Sequence, residues 1–275
     1  MEYRRLGNTG LEVSNLSFGA SSLGSVFRNI NVQEGIRTVH TAVDEGINLI
    51  DVSPYYGLTK AESILGKAIK DIPREQIYLS SKAGRYGKKE FDFSKSRIIK
   101  SVEESLMRLN TDYLDILFLH DIEFGDRVQV IEEGIPALQQ LKAEGKIHFL
   151  GVTGLPLTIF EETLEQTNLD VILSYCHYTL NDTSLLSILP LLKEKEVGLI
   201  NASPLSMGLL TMRGAPEWHP ASKDIRGACQ RAADICRNRG TSLEKLAIQY
   251  SVSNKRIPTT LVSTAKPEKI GRAHV

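Results

Sequence analysis

Apolar residues along the chain fall into two alternating patterns. The first is a short unbroken run bounded by turn residues, which reads as a strand buried on both faces. Such runs occupy residues 16–19, 47–51, 77–82, 114–120, 147–152, 171–175, 197–202 and 260–263. The second is an amphipathic stripe at helical spacing. Ile36, Val39 and Val43 form one within 34–45, a stretch at 62–69 stops before Pro73, and Ile98, Val102, Leu106 and Leu109 form another behind a capping Ser94. Further helices are predicted around Leu138 and Leu141, with Gly134 and Pro136 marking a break near the start, and after Pro156. Others are predicted over 185–195, 224–239 and 242–253. Ahead of the first buried run, residues 3–6 and 11–13 flank Gly7-Asn8-Thr9-Gly10 and predict a small hairpin.

Eight buried strands alternating with helices, undivided by any linker, predict a parallel sheet closed as a (β/α)8 TIM barrel with an N-terminal β-hairpin. An open doubly wound sheet is the competing arrangement, and no Gly-x-Gly-x-x-Gly follows the first strand to favour it. Composition excludes more than it suggests. Lys plus Arg equals Asp plus Glu at 33 each, which leaves no basic footprint for nucleic acid or an anionic membrane. No stretch of about 18 apolar residues offers a membrane span, and the N-terminus lacks the apolar core of a signal peptide. Cys176, Cys229 and Cys236 are an odd set without metal spacing; they read as reduced thiols in a cytoplasmic protein.

The strand ends carry the candidate chemistry, because the active site of such a barrel lies at the C-terminal ends of its strands. The second strand ends in Asp51 with Tyr55 and Tyr56 just beyond, the third in Lys82 and the fourth in His120. A carboxylate at the end of a buried strand requires a cation. Each residue alone has a plainer reading: a turn cap, a solvated lysine, a rim histidine, a packed tyrosine. Three adjacent strands bring them to one rim, and together they suit proton transfer by a phenol. A free tyrosine has a pKa of about 10; a nearby ammonium favours the phenolate. Asp51 is then expected to hold Lys82, and His120 to orient a substrate oxygen. A tuned tyrosine beside such an oxygen fits carbonyl reduction or alcohol oxidation, with hydride supplied or taken by a cofactor.

At these residues the sequence resembles the aldo-keto reductase family. Asn48-Leu49-Ile50-Asp51, Tyr56-Gly57, Ser81-Lys82, the run Asp115 to His120, Gly151-Val152-Thr153 and Ser203-Pro204-Leu205 occur in family order and span nearly the whole chain. The resemblance implies a nicotinamide-dependent oxidoreductase, using NAD with NADP as the alternative, and a catalytic set of Asp51, Tyr56, Lys82 and His120 with Tyr56 as general acid/base. It implies cofactor contacts at Thr153, Tyr175, Ser203, Leu205, Met207, Ser263 and Lys266, the loop through Ser203 and Met207 running along the pyrophosphate. Gly84-Arg85-Tyr86, the run His120 to Gly125, Gly154-Leu155-Pro156-Leu157, Ser174 to Tyr178 and Pro216 to Ser222 are similar to the plant-type L-galactose dehydrogenase subgroup. That likeness implies oxidation of a sugar at C1 to the lactone. The chain departs from the wider family in three places. Thr153-Gly154 stands where many members have Ser-Asn, and Ala202 where many have a tyrosine stacked on nicotinamide. The strand-six glutamine is replaced, with Tyr175 and Ser174 the candidates. Lys266 is either a partner for the 2′-phosphate of NADP or a solvated charge.

Two other readings compete. A Schiff-base aldolase would use Lys82 as nucleophile, although pairing with Asp51 keeps an amine protonated. A non-catalytic nicotinamide-binding subunit would keep the pocket without turnover. Family chains continue past the eighth strand with a closing helix and a tail over the substrate. Here residues 270–275 read as an in-frame translation of a common sequencing adapter. The expectation is a barrel over 1–269 with its closing helix truncated, followed by a non-native tail.

Overall fold

Alternation along each strand sorts side chains between two cores. A computed structural model describes residues 1–26 and 29–270. Strands β1 (Tyr3–Arg5) and β2 (Glu12–Ser14) pair antiparallel as a hairpin. The remaining strands are β3 (Leu16–Gly19), β4 (Leu49–Asp51), β5 (Tyr78–Ala83), β6 (Leu114–Leu119), β7 (Ile147–Gly154), β8 (Val171–Tyr175), β9 (Gly198–Ala202) and β10 (Thr259–Val262). They pair in parallel in chain order, and β10 returns to β3 to close the barrel. The inner core is Leu49, Ile116, Phe118, Val171, Leu173, Ile200 and Leu261, with Leu6 and Val13 of the hairpin packed into it. Intervening residues, such as Phe18, Ile50, Leu117 and Ile172, belong to the larger core shared with the helices.

Around the barrel run α1 (Val32–Asp44), α2 (Lys60–Ile69), α3 (Lys95–Leu109), α4 (Arg127–Gln129), α5 (Ile135–Ala143), α6 (Leu157–Gln166), α7 (Leu189–Glu194), α8 (Lys223–Asn238) and α9 (Leu243–Ser253). The predicted break near Gly134 is a π-helical turn, Val130–Gly134, inserted between α4 and α5 while every flanking residue stays right-handed. The predicted helix over 185–195 divides into a 3-10 segment, Ser184–Ile188, and α7. Pro190, in the first turn of α7, has no N–H to return to the preceding turn, so the helix starts afresh there. Ser94 precedes α3, but its hydroxyl does not cap it; Asp92 Oδ1 instead accepts from the Ser94 N–H at 2.9 Å. Ser242 and Ser222 do cap their helices.

A buried ionic network fixes α2 and α3 to the sheet. Glu62 on α2 is fully buried, accepting from Ser81 Oγ of β5 and from Arg108 Nε of α3, each at 2.7 Å. Arg4 ties the hairpin to the end of α9 by donating to the carbonyls of Val252, Asn254 and Ile257. Of the expected tail, residues 271–275 lie outside the described residues, and Ile270 is buried in the core between barrel and helices. Among the described residues no helix is long and apolar enough to cross a membrane.

Candidate active site

The register of the barrel decides which residues meet at its C-terminal rim. Asp51 stands beside Gly19, Lys82 beside Phe118, Thr153 beside Leu173, and Tyr175 beside Ala202. Register partners in a parallel pair share a face, so Asp51, Lys82, Thr153, Tyr175 and Ala202 lie on the inward face with Phe118 and Leu173. Ser174 and Asn201, one residue out of phase, lie on the helix side.

Asp51 and Lys82 form a buried pair, 3% and 2% exposed, with Nζ to Oδ2 at 2.5 Å. Two further bonds complete it. Ser80 Oγ donates to Asp51 Oδ1 at 2.8 Å, and Lys82 Nζ also donates to the Val52 carbonyl at 2.8 Å. The ammonium also lies over the Tyr56 ring, 5.0 Å from its centroid. The Tyr56 ring meets His120 edge-on, with centroids 5.8 Å apart and planes at 88°. A close approach sets the Tyr56 loop. Gly57 is left-handed at φ +64°, and a Cβ there would lie 2.0 Å from the Gly24 carbonyl oxygen. Glycine is therefore required at the residue after the tyrosine.

His120 Nδ1 bonds Ser53 Oγ at 3.0 Å, and Nε2 makes no hydrogen bond that competes with a substrate oxygen beyond its 3.6 Å approach to Asp121 Oδ2. Burial, together with the charges of Lys82 and Arg85, lowers the His120 pKa to about 3 against the opposing pull of Asp121, so the ring is neutral. The Tyr56 phenol is pushed well above its ordinary value, first by burial and then by the carboxylates of Asp51 and Asp121. This differs from the expectation that Lys82 would lower it. The ammonium is spent on Asp51 and a carbonyl, so the pair presents little net positive charge to the ring, and desolvation prevails.

The other predicted residues divide. Thr153 is buried, and its hydroxyl is committed to Asp121, accepting from the Asp121 N–H at 2.9 Å and donating to Oδ1 at 3.1 Å. Tyr175 donates to Glu123 Oε1 at 3.3 Å. Ser263 Oγ accepts from the Ser22 N–H at 3.0 Å and bonds the hydroxyls of Ser21 and Ser22, joining the loop after β10 to the loop after β3. Ser203 and Met207 sit in a loop where Ser203, Ser206, Met207 and Gly208 are all left-handed. Leu205 packs toward a separate cluster containing Leu209, Leu210 and Cys229, while Met207 is exposed. Lys266 pairs with Glu268 at 3.7 Å. All of these lie at strand ends or in the loops that follow β7, β8, β9 and β10, with Leu205 packed toward the separate cluster and Lys266 paired with Glu268.

Sequence reasoning assigned no role to five residues that support this rim. Ser53 and Ser80 orient His120 and Asp51. Arg85 forms an ion pair with Asp121 and stacks its guanidinium 3.9 Å from the Tyr55 centroid. Asp121, left-handed at φ 53°, brings its carboxylate to 3.6 Å from His120 Nε2. Glu123 follows on a 3-10 turn, Ile122–Phe124. Arg85 and Asp121 each occupy a position just after a buried strand, and that was the available signal. A serine beside a strand gives none.

Comparison with known proteins agrees with this geometry. The sequence profile described as "Aldo/keto reductase family" matches residues 15–273. The chain is 52% identical to an L-galactose dehydrogenase of Arabidopsis thaliana, over 98% of this chain and 86% of that one. It is 34% identical to a D-arabinose 1-dehydrogenase of Saccharomyces cerevisiae, over 77% of this chain and 67% of that one. Among solved structures, an aldo-keto reductase from Bacillus halodurans in its holo form superposes with a TM-score of 0.81 at 28% identity, covering 99% of this chain and 89% of that one. With a barrel of this register and a family profile spanning nearly its whole length, the chain belongs to the aldo/keto reductase family of oxidoreductases.

Proposed function

We propose that this protein oxidises a sugar lactol at C1 to the lactone with NAD, and that L-galactose is a substrate. The observation that carries the reading is the convergence of Tyr56, His120 and the Lys82–Asp51 pair from neighbouring strands on one rim. The 52% likeness to a plant L-galactose dehydrogenase supports the choice of substrate. A nicotinamide, when bound, accepts the hydride. The rim fits such a group: Gly19 and Ala202 leave one side of it free of bulk, and the buried Arg85 Nε lacks a partner among the described residues.

The chain's own residues then divide the work. His120 is neutral, and its Nε2 is the nitrogen left to hold the sugar's anomeric oxygen. In the oxidising direction Tyr56 first gives up its own phenolic proton to solvent and then, as phenolate, takes the proton from that oxygen as the C1–H bond breaks; in the reverse direction the protonated phenol returns it. Asp51 and Lys82 fix the floor beneath the phenol. The buried, charge-paired lysine also speaks against an imine-forming nucleophile, which needs a free amine. The test is a panel of L-galactose, L-fucose, D-arabinose and simple aldehydes, each with NAD and NADP, followed by dinucleotide absorbance. The expected result is the highest kcat/KM for L-galactose with NAD. Turnover confined to simple aldehydes, or to NADP, would overturn it.

A further inference from the structure

We propose that Arg85 is a positioning residue: it holds the Asp121 carboxylate off His120 Nε2, so that this nitrogen stays available to the substrate oxygen. The use made of Nε2 rests on the reading just given; the hold on Asp121 does not. Two bonds fix the tautomer of the ring. Ser53 Oγ is buried and accepts from the Tyr55 N–H at 3.1 Å, so its own hydroxyl proton goes to His120 Nδ1 at 3.0 Å. The imidazole proton therefore sits on Nε2. Asp121 Oδ2 approaches that nitrogen to 3.6 Å, too far for a hydrogen bond.

Oδ2 is also the oxygen that Arg85 binds. One carboxylate oxygen is thus shared between a guanidinium in contact and an imidazole just out of reach. Oδ1 is committed elsewhere, accepting from the Thr153 hydroxyl at 3.1 Å. Asp121 is 5% exposed, so without Arg85 its carboxylate would keep a single hydroxyl donor in a buried place. An unpaired buried charge is costly, and the Nε2–H beside it is a donor that would relieve it. Arg85 is itself held in place by aromatic rings. Its guanidinium lies 3.9 Å from the Tyr55 centroid, 5.3 Å from that of Phe91 and 5.9 Å from that of Phe124. Tyr55 in turn meets His120 edge-on, with centroids 5.9 Å apart. The charged and titratable groups around the ring are Asp121, Arg85, the Lys82–Asp51 pair and the phenols of Tyr55 and Tyr56. Burial disfavours the imidazolium most, Asp121 favours it, and Lys82 and Arg85 disfavour it. Removing Arg85 deletes a cation and frees an anion, and both changes raise the folded pKa of His120.

The test is the charge of His120 in Arg85→Met, read from imidazole nitrogen and proton NMR shifts between pH 4 and 8. The His120 signals are identified by their absence in His120→Gln. In the wild type the ring is expected to stay neutral over the whole range. In Arg85→Met it should titrate inside that range, and Asp121→Asn added to Arg85→Met should make it neutral again. A ring that stays neutral in Arg85→Met, or still titrates in the double variant, overturns the proposal. The kinetic readout separates it from the functional reading. Arg85→Met should lower kcat/KM for L-galactose on the order of tenfold, because Asp121 then competes for Nε2–H, with the NAD Kd changed less than threefold. A ring that titrates as expected with kcat/KM unchanged would uphold the hold on Asp121 and overturn the role given to Nε2. If Arg85→Met does not fold, Asp121→Asn serves as the background. With the carboxylate gone, adding Arg85→Met should change kcat/KM less than threefold; a further loss of tenfold would show that Arg85 does not act through Asp121, and would overturn the proposal.

Discussion

At the scale of single residues, the site separates the proposed proton carrier from the charges that surround it. Tyr56 is a buried phenol held protonated, so it is poised as an acid for the reducing direction and must first lose its own proton to solvent before it can take the substrate's in the oxidising one. Tyr56→Phe is predicted to lower kcat by several orders of magnitude while the NAD Kd changes less than threefold, a difference separable by titration and steady-state kinetics. Retention of most activity would transfer the role to Tyr55, whose ring is 5.9 Å from His120. Lys82→Met is predicted to act first on stability. It leaves Asp51 buried with only Ser80 as partner, and breaking a buried pair costs roughly 3–5 kcal/mol. Asp51→Asn added to Lys82→Met should recover much of that loss in urea unfolding; a double variant as unstable as the single would refute the account. The charged members of this site were legible in the sequence because an acid, an amine and an imidazole each end an apolar run. Ser53 and Ser80 were not, since their roles depend on how neighbouring strands are set against one another.

At the scale of elements, short stretches of chain are placed by contact rather than by propensity. The Tyr56 loop meets the 3-10 segment Ala20–Gly24 backbone to backbone, Gly57 lying against Gly24. Gly57→Ala is predicted to reduce kcat more than tenfold by lifting the tyrosine off its seat. Gly145→Ala is the control: it has a similar left-handed φ of +73° but nothing within 4 Å, so it should suffer the backbone strain and keep its kcat. Equal kinetic damage in the two would show that strain, not the close approach, is responsible. Most elements were readable from periodicity. The exception at 185–195 is instructive, because an unbroken apolar stripe concealed the restart that Pro190 imposes. The break near Gly134 was legible, but its form as a π turn was not: the extra residue is fixed by packing around Gly134, where a Cβ would meet Leu119 at 2.8 Å.

At the scale of the molecule, one buried ring couples the site to acid stability. The folded pKa of His120 is about 3 against 6.5 for the free side chain, so the unfolded chain binds the extra proton between these values. The contribution is fully present above pH 6.5 and is lost as pH falls toward 3, at about 1.36 kcal/mol per pH unit from this one group. Urea unfolding between pH 4 and 6.5 should therefore show a shallower slope for His120→Gln than for wild type; parallel slopes would refute a neutral buried histidine. Eight strand–helix units were legible in the sequence, and their number led to the closed barrel that β10 completes on β3; the register across that seam was not legible, because nothing in residues 259–262 names β3 as their neighbour. That closure has a consequence for synthesis. Ser17 and Thr259, which bond across the seam, are 242 residues apart. At ribosomal rates of roughly 5–20 residues per second, β3 waits on the order of ten to fifty seconds for its second neighbour. Throughout that interval the nascent sheet has a bare edge, the kind of surface that recruits other chains. The side chains that later bond across it, Ser17, Ser21, Ser22, Thr259 and Ser263, are hydroxyl-bearing and small, while Leu16 and Phe18 on the same edge wait for the pairing with Thr260 and Val262. The hydroxyls hold water along part of that edge while it waits, and Leu16 and Phe18 are the part a neighbouring polypeptide on the same polysome can stick to.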